Sequence, residues 1–99
     1  ESGGRAPVYA AMKAAVNSFT KSFAKMVAPN IQVNAVAPGF VKTRTYNSMP
    51  KEMIDGFIES TYLKRWVTQE EIADAFVFLA KNDAMIGQVV YVDAGFTLK

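Results

Sequence analysis

Two short apolar runs constrain the fold of this chain more than any other feature of its sequence. Ile31 to Ala37 and Gln88 to Asp93 are rich in β-branched residues, and the first stops at a Pro-Gly pair. Runs of this kind are typical of buried strands in a parallel sheet, which carries helices on both faces. Because two strands are too few for such a sheet, we expect the 99 residues to be part of a larger domain.

Three helical patterns surround the two strands. The first covers about Pro7 to Ala28, where apolar residues recur at steps of three and four. The second covers Pro50 to Tyr62, and the third begins at Thr68, which can form a capping box with Glu71. The succession of helix, strand, helix, helix and strand predicts an α/β protein with a parallel sheet. The apolar face of the first helix consists of Val8, Met12, Ala15, Phe19, Phe23 and Met26.

Composition excludes several classes of function. The chain has no Cys and no His, so its own residues cannot form a thiolate or imidazole metal site or a Ser-His-Asp triad. Its 11 basic and 9 acidic residues form no clustered basic face, which argues against nucleic acid. No apolar run approaches the roughly 20 residues of a membrane span, and no signal peptide is indicated. We expect a cytoplasmic protein with no metal, nucleic-acid or membrane partner.

Tyr9 and Lys13 are candidates for proton transfer. They are four residues apart at the start of the first helical pattern, which places both side chains on one face, about one turn apart. A neighbouring ammonium typically lowers the pKa of a phenol by about 1 to 3 units. This shift brings the phenol closer to the range in which it can act as a general acid or base near neutral pH. Taken alone, the pair is a weak signal, because a solvated helix start has the same pattern.

The loop after the first strand suits nucleotide binding. It breaks at Pro38-Gly39 and continues through Val41 to Thr43. At the carboxyl end of a parallel strand, backbone amides and a Thr hydroxyl can hold the amide or phosphate group of a nucleotide. Pro-Gly is also an ordinary turn sequence, so the loop alone leaves a purely structural role open.

Together, four segments resemble the short-chain dehydrogenase/reductase family over nearly the whole chain. Tyr9-Ala10-Ala11-Met12-Lys13 resembles the family's Tyr-x-x-x-Lys helix, and Ile31 to Gly39, with Thr43 beyond it, resembles the strand and loop that close over the nicotinamide. Thr68 to Ala80 resembles the late helix, and Gly87 to Asp93 the last strand. The most similar branch contains 3-oxoacyl-acyl-carrier-protein reductases and sugar dehydrogenases.

The resemblance implies both a fold and an activity. Residues 1–99 would form the C-terminal portion of a single, doubly wound, parallel-sheet Rossmann-like domain whose N-terminal portion is absent. The activity would be NAD- or NADP-dependent interconversion of an alcohol and a ketone in a small-molecule substrate. Tyr9 would be the general acid or base, and Lys13 would lower the Tyr9 pKa and bind the nicotinamide ribose. The cofactor-binding residues would be Tyr9, Lys13, Pro38, Gly39, Val41 and Thr43.

Several positions depart from the family pattern or lie outside it. Met12 stands where a small or hydroxyl residue is usual, and Asp93-Ala94-Gly95 replaces the common Asp-Gly-Gly. The family's Gly-rich phosphate loop and catalytic Ser precede the Tyr, and Ser2 is too near Tyr9 to be that Ser. Since the glycines of that loop hold the phosphates of the dinucleotide, we expect the 99 residues alone to be inactive. Asn34 would have the structural role of tying neighbouring strands together.

Two questions remain open at this point. The stretch from Arg44 to Trp66 occupies the family's substrate-covering segment, and its apolar residues suit either a mobile lid over a hydrophobic substrate or simple packing. The first helix and last strand often meet a second subunit in this family, which implies a homo-oligomer, either a dimer or a tetramer. The alternative to the oxidoreductase function is a non-catalytic fragment that acts only as an oligomerisation or interaction segment.

Overall fold

The computed structural model describes the backbone of residues 5–98 and the side chains of residues 10–98. Their elements follow the predicted order, with one short 3-10 helix added between the first strand and the second helix. None of the described helices is long and apolar enough to cross a membrane. The elements are α1 (Arg5–Val27), β1 (Ala35–Pro38), the 3-10 helix (Arg44–Ser48), α2 (Lys51–Glu59), α3 (Gln69–Lys81) and β2 (Val89–Val92).

The strands β1 and β2 pair in a two-stranded sheet. The Ala35 amide donates to the Gln88 carbonyl over 2.9 Å, and the Gly39 amide donates to the Val92 carbonyl over 3.0 Å. Because both bonds join residues with the same sequence offset, the strands are parallel, as predicted. Their carboxyl ends therefore lie at the same edge of the sheet, where Gly39 follows β1 and Asp93 follows β2.

The first strand begins four residues later than the sequence predicts. Ile31 to Asn34 precede β1. Here the side chain of Asn34 takes the place of the backbone hydrogen bonds that would otherwise join the two strands. Its Oδ1 accepts from the Gln88 amide and its Nδ2 donates to the Met85 carbonyl, each over 3.0 Å. The expected structural role of Asn34 is thus confirmed, because one side chain ties the approach to β1 to the approach to β2.

The chain forms two compact units. Among the described residues, the first unit contains 5–35 together with Asn82–Val89, and the second contains Val36–Lys81 together with 90–98. In the first unit, α1 buries Thr20 and Ala24. A Cβ placed at Gly87 would lie 3.6 Å from the Ala24 Cβ, so the segment 82–89 packs on the side of the helix that carries Ala24.

Among the side chains that the structure describes, the apolar face predicted for α1 is mostly exposed, and only Phe23 of this face is half-buried. Met12 and Phe19 are each 65% exposed and Met26 is 77% exposed. Their spacing does place them on one side of a continuous helix, and Phe19 stacks on Phe23 at 5.5 Å between ring centroids. Burial depends on what covers a face, and within this unit the segment 82–89 covers the opposite side.

Helix α2 is shorter than the predicted Pro50 to Tyr62. Pro50 is the N-cap residue, and the helix ends at Glu59. The hydroxyls of Ser60 and Thr61 donate back to the carbonyls of Phe57 and Ile58, which completes the last turn locally. Hydroxyl side chains that take backbone acceptors in this way favour termination over further helix.

Helix α3 begins at the capping box that the sequence predicts. The Glu71 amide donates to the Thr68 hydroxyl over 3.0 Å, and the Thr68 amide donates to Glu71 Oε1 over 2.9 Å. Two free amides of the first turn are thereby satisfied. Along α3, Leu79 is buried, whereas Phe76 is 56% exposed.

Candidate functional site

Helix α1 carries the first two predicted site residues on successive turns. Tyr9 and Lys13 both lie within its continuous span, so the backbone has the spacing that the sequence predicts. Lys13 is half-buried. The side chain of Tyr9 lies outside the described residues, and the contact between the phenol and the ammonium stays a prediction.

The other four predicted residues follow one another along the loop after β1, in the second unit. Gly39 lies at the sheet edge, where its amide donates to the Val92 carbonyl. A Cβ at position 39 would lie 2.7 Å from the Asp93 Cα and 2.8 Å from the Asp93 Cβ. Such distances are too short for a side chain, so a residue without one is required here. Pro38 is exposed at the end of β1.

Val67 holds the next part of the loop. Its amide donates to the Phe40 carbonyl over 2.9 Å, and it pairs with Val41 in an isolated parallel bridge. Val67 is only 3% exposed. Because a buried backbone group strongly favours its hydrogen bond, this pairing gives the backbone at Val41 a defined position.

Thr43 stands at the start of the 3-10 helix. Its carbonyl accepts from the Tyr46 amide over 3.1 Å, while its side chain makes no capping hydrogen bond. The residue is exposed. Capping therefore does not occupy the Thr43 hydroxyl, which is the group expected to act in nucleotide binding.

An aromatic cluster packs beneath the loop. Phe40 stacks on Phe57 and meets Phe96 edge to face, with ring centroids 4.9 Å apart in both pairs. Tyr46 meets Phe57 and Trp66 edge to face, at 6.1 and 4.9 Å. Aromatic pairs in these geometries contribute about 0.5–1.5 kcal/mol beyond their area burial, so the cluster anchors the loop to α2 and to the end of the chain.

The segment from Arg44 to Trp66 thus serves partly as packing. Tyr46, Phe57 and Trp66 belong to the aromatic cluster. Met53 is 42% exposed and Tyr62 is 64% exposed. Packing is therefore shown for the residues of the aromatic cluster, whereas a role of the exposed residues in covering a substrate stays a prediction.

Asp93 has a role that the sequence analysis missed. It is 8% exposed, and its Oδ1 accepts from the Gly95 amide over 3.0 Å. Its Oδ2 accepts from the Thr97 hydroxyl over 2.7 Å and from the Thr97 amide over 3.2 Å. An Asp directly after a strand, with Gly two residues on, is the signal of such a turn. Its closeness to Gly39 follows only from the sheet register.

The same turn contacts the segment after α2. The Ala94 carbonyl accepts from the amides of Tyr62 and Leu63, each over 3.0 Å. Ala94 has φ 55° and Gly95 has φ 88°, both in the left-handed region. A Cβ at Gly95 would lie 2.8 Å from the Tyr62 Cβ. The turn is therefore closely packed on this side as well.

Arg65 and Glu71 form a two-pronged ion pair at the start of α3. Two guanidinium nitrogens of Arg65 donate to the two carboxylate oxygens of Glu71, each over 3.0 Å. The bond from Arg65, and next the one from the Thr68 amide, lowers the pKa of Glu71 to about 2. The same pairing raises the pKa of Arg65. The ion pair stabilises the capping box of α3, because the same Glu71 carboxylate accepts from the Thr68 amide.

Comparisons with known proteins agree with this architecture. A family model described as enoyl-(acyl carrier protein) reductase matches residues 2–97. The chain is 39% identical over 93 residues to a 3-oxoacyl-acyl-carrier-protein reductase of Thermotoga maritima, a match that covers 91% of this chain and 38% of that protein. It is 35% identical over 95 residues to a short-chain dehydrogenase/reductase homolog of Bacillus subtilis, covering 96% of this chain and 73% of that protein.

Solved structures give the same result. A putative 2-deoxy-D-gluconate 3-dehydrogenase from Agrobacterium tumefaciens with bound NADP matches with a TM-score of 0.80 and 35% identity, over 99% of this chain and 42% of that one. A small-chain dehydrogenase in complex with NADPH matches with a TM-score of 0.76 and 35% identity, over 91% of this chain and 42% of that one.

The chain belongs to the short-chain dehydrogenase/reductase family of oxidoreductases, and it is similar to the 3-oxoacyl-acyl-carrier-protein reductases within that family. Its α/β structure is part of the family's doubly wound, parallel-sheet Rossmann-like fold. It spans 38% of the length of the Thermotoga maritima reductase that it matches. The resemblance predicted from the four sequence motifs is confirmed.

Proposed function

We propose that this chain contributes the proton-transfer pair and the nicotinamide-side loop of an NAD(P)-dependent oxidoreductase that interconverts an alcohol and a ketone. One observation carries the proposal: Tyr9 and Lys13 lie four residues apart in one helix, and the same chain places a Pro-Gly loop at the carboxyl edge of a parallel sheet. Similar structures with bound NADP and NADPH support the choice of cofactor.

Tyr9 is the proposed general acid for ketone reduction and the general base for alcohol oxidation. Its hydroxyl gives a proton to the substrate oxygen in one direction and takes it back in the other. Lys13, half-buried one turn further along the helix, lowers the Tyr9 pKa and donates to the ribose hydroxyls. When bound, the nicotinamide supplies or accepts the hydride.

The backbone at Val41 and the Thr43 hydroxyl are groups of the kind that can bind the nicotinamide. Pro38 and Gly39 shape the loop at the sheet edge, and the close packing of Gly39 on Asp93 gives it a fixed course. The backbone at Val41, held by Val67, would meet the carboxamide. The exposed Thr43 hydroxyl, which capping does not occupy, would complete its binding.

The remaining predictions concern the whole protein. We propose that residues 1–99 are the C-terminal portion of one dinucleotide-binding domain in a cytoplasmic homo-oligomer. Met12, Phe19 and Met26 form an exposed apolar face on α1. This exposure supports the proposal that a second subunit covers the helix. Light scattering coupled to size-exclusion chromatography of the complete protein tests the oligomer, and a monomeric mass would contradict it.

The proposal is tested with the complete protein, NADPH or NADH, and a panel of 3-oxoacyl thioesters and simple ketones. Turnover is followed by loss of the reduced nicotinamide's absorbance. Lys13→Met should lower kcat by about 100-fold and move the pH profile to higher pH, since the Tyr9 phenol loses its neighbouring cation.

Lys25→Met is the matched control, because Lys25 is exposed near the other end of α1 and should leave kcat unchanged. Absence of turnover with both nicotinamides across the panel would overturn the proposed function and favour a non-catalytic segment.

A further inference from the structure

The turn that follows β2, Asp93 to Thr97, is in close contact with the loop that follows β1. The contact arises because both strands end at the same edge of a parallel sheet. Gly39 lies against the Asp93 backbone so closely that a Cβ would come within 2.7 Å of the Asp93 Cα. The course of the loop therefore depends directly on where Asp93 lies.

A second contact joins the same two segments. The ring of Phe96, in the turn, meets the ring of Phe40, in the loop, with centroids 4.9 Å apart and planes at 77°. The Phe96 amide also donates to the Asp93 carbonyl over 3.0 Å, so the ring position depends on the closure of the turn. The loop thus rests on the turn through a backbone contact at Gly39 and an aromatic contact at Phe40.

The carboxylate of Asp93 closes this turn. It accepts three hydrogen bonds, from the Gly95 amide and from the amide and hydroxyl of Thr97. At 8% exposure, water cannot readily replace these bonds. Loss of the Thr97 bonds would release the end of the turn that carries Phe96.

We propose that Asp93 is a positioning residue for the nicotinamide-side loop, Pro38 to Thr43. It acts through Gly39 and Phe40, without touching the reacting atoms. The inference rests on the proposed function, because it assigns to the turn the task of holding the loop that binds the cofactor. A displacement of about 1 Å in such a support costs up to about 100-fold in rate, so the effect of losing the support is measurable.

The test uses the complete protein with Thr97→Val, Thr97→Ser and Asp93→Asn. Thr97→Val removes the 2.7 Å bond to Asp93 with little change in shape, and Thr97→Ser keeps a hydroxyl. We expect Thr97→Val and Asp93→Asn to raise KM and the dissociation constant for the reduced nicotinamide by about 10-fold, with a smaller change in kcat. Thr97→Ser should restore most of the affinity.

Thr61→Val provides the matched control. Thr61 is 1% exposed, lies in the same unit and donates its hydroxyl to the Ile58 carbonyl over 2.8 Å. This variant should lower the melting temperature by a similar amount and leave cofactor binding unchanged. Should Asp93→Asn fail to fold, the pair Thr97→Val and Thr97→Ser carries the test.

The outcomes separate the two proposals. If the wild-type protein neither binds nor turns over a nicotinamide, the proposed function fails and the role of Asp93 fails with it. If the wild-type protein is active and the Thr97 and Asp93 variants lose stability without weaker cofactor binding, as for Thr61→Val, only the positioning role is overturned.

Discussion

Gly39 lies directly against the backbone of Asp93 at the carboxyl edge of the sheet. A Cβ on Gly39 would approach the Asp93 Cα to 2.7 Å and the Asp93 carbonyl oxygen to 3.1 Å. The conflict involves backbone atoms, which cannot turn aside as a flexible side chain can. This position therefore requires glycine for reasons of space.

Replacing Gly39 with Ala should destabilise the protein by about 1–3 kcal/mol, the usual cost of forcing extra volume into a packed site. Urea denaturation measures the loss. Gly56→Ala is the control, because a Cβ there meets nothing within 4 Å and the residue lies inside α2. That change should stabilise the helix by up to about 1 kcal/mol. Equal effects of the two substitutions would contradict the assigned contact.

Replacing Ala94 with Gly should stabilise the protein. Ala94 has φ 55°, where a Cβ costs about 1–2 kcal/mol, and the greater freedom of Gly in the unfolded chain offsets part of the relief. We expect a net gain of about 0.5–1 kcal/mol by urea denaturation. Ala73→Gly, at an exposed position inside α3, should instead cost about 1 kcal/mol. A loss at both positions would argue against the left-handed conformation of Ala94.

The ion pair between Arg65 and Glu71 should make stability depend on pH in acid. Its bonds lower the Glu71 pKa from an ordinary 4.5 to about 2 in the folded chain. A lowered carboxyl pKa gives a stabilisation that is fully present above pH 4.5 and is lost as the pH falls through about 2. Melting temperatures between pH 6 and roughly pH 2 should therefore fall less steeply in Glu71→Gln than in the wild type. Parallel slopes would refute the pairing.

Removing the Asn34 side chain should weaken the first unit. It makes two bonds to segment 85–88, so Asn34→Ala leaves the Gln88 amide and the Met85 carbonyl without these partners. The expected loss is about 1–3 kcal/mol in urea denaturation. Gln32→Ala is the comparison, since Gln32 also donates to the Met85 carbonyl but is exposed, and water can replace it. A loss as large for Gln32→Ala would contradict the assigned role of Asn34.

The features that the sequence predicts well follow from a local pattern, from the order of the elements or from the family resemblance. The Thr68–Glu71 capping box was predictable because both partners lie within one turn. The parallel pairing of β1 and β2 was predictable because each strand is a short apolar run separated from the other by helices. Asn34 followed from the family resemblance, and its hydrogen bonds confirm that role.

Features that depend on the register of distant segments were not predictable. Asp93 is adjacent in sequence to its turn partners, but its contact with Gly39 exists only because the two strands end together. Likewise, the spacing in α1 identifies an apolar face, yet burial is decided by segment 82–89, which packs on Ala24 instead. The division of Arg44 to Trp66 into packed and exposed residues also required the structure.

The most direct test of the central claim is the turnover of Tyr9→Phe in the complete protein, measured beside nicotinamide binding. The substitution removes only the phenol hydroxyl, so the proposed proton transfer disappears while the ring and the helix remain. We predict a loss of at least about 100-fold in kcat with nearly unchanged affinity for the reduced nicotinamide. Turnover retained at the wild-type rate would contradict the assignment of Tyr9 as the general acid and base.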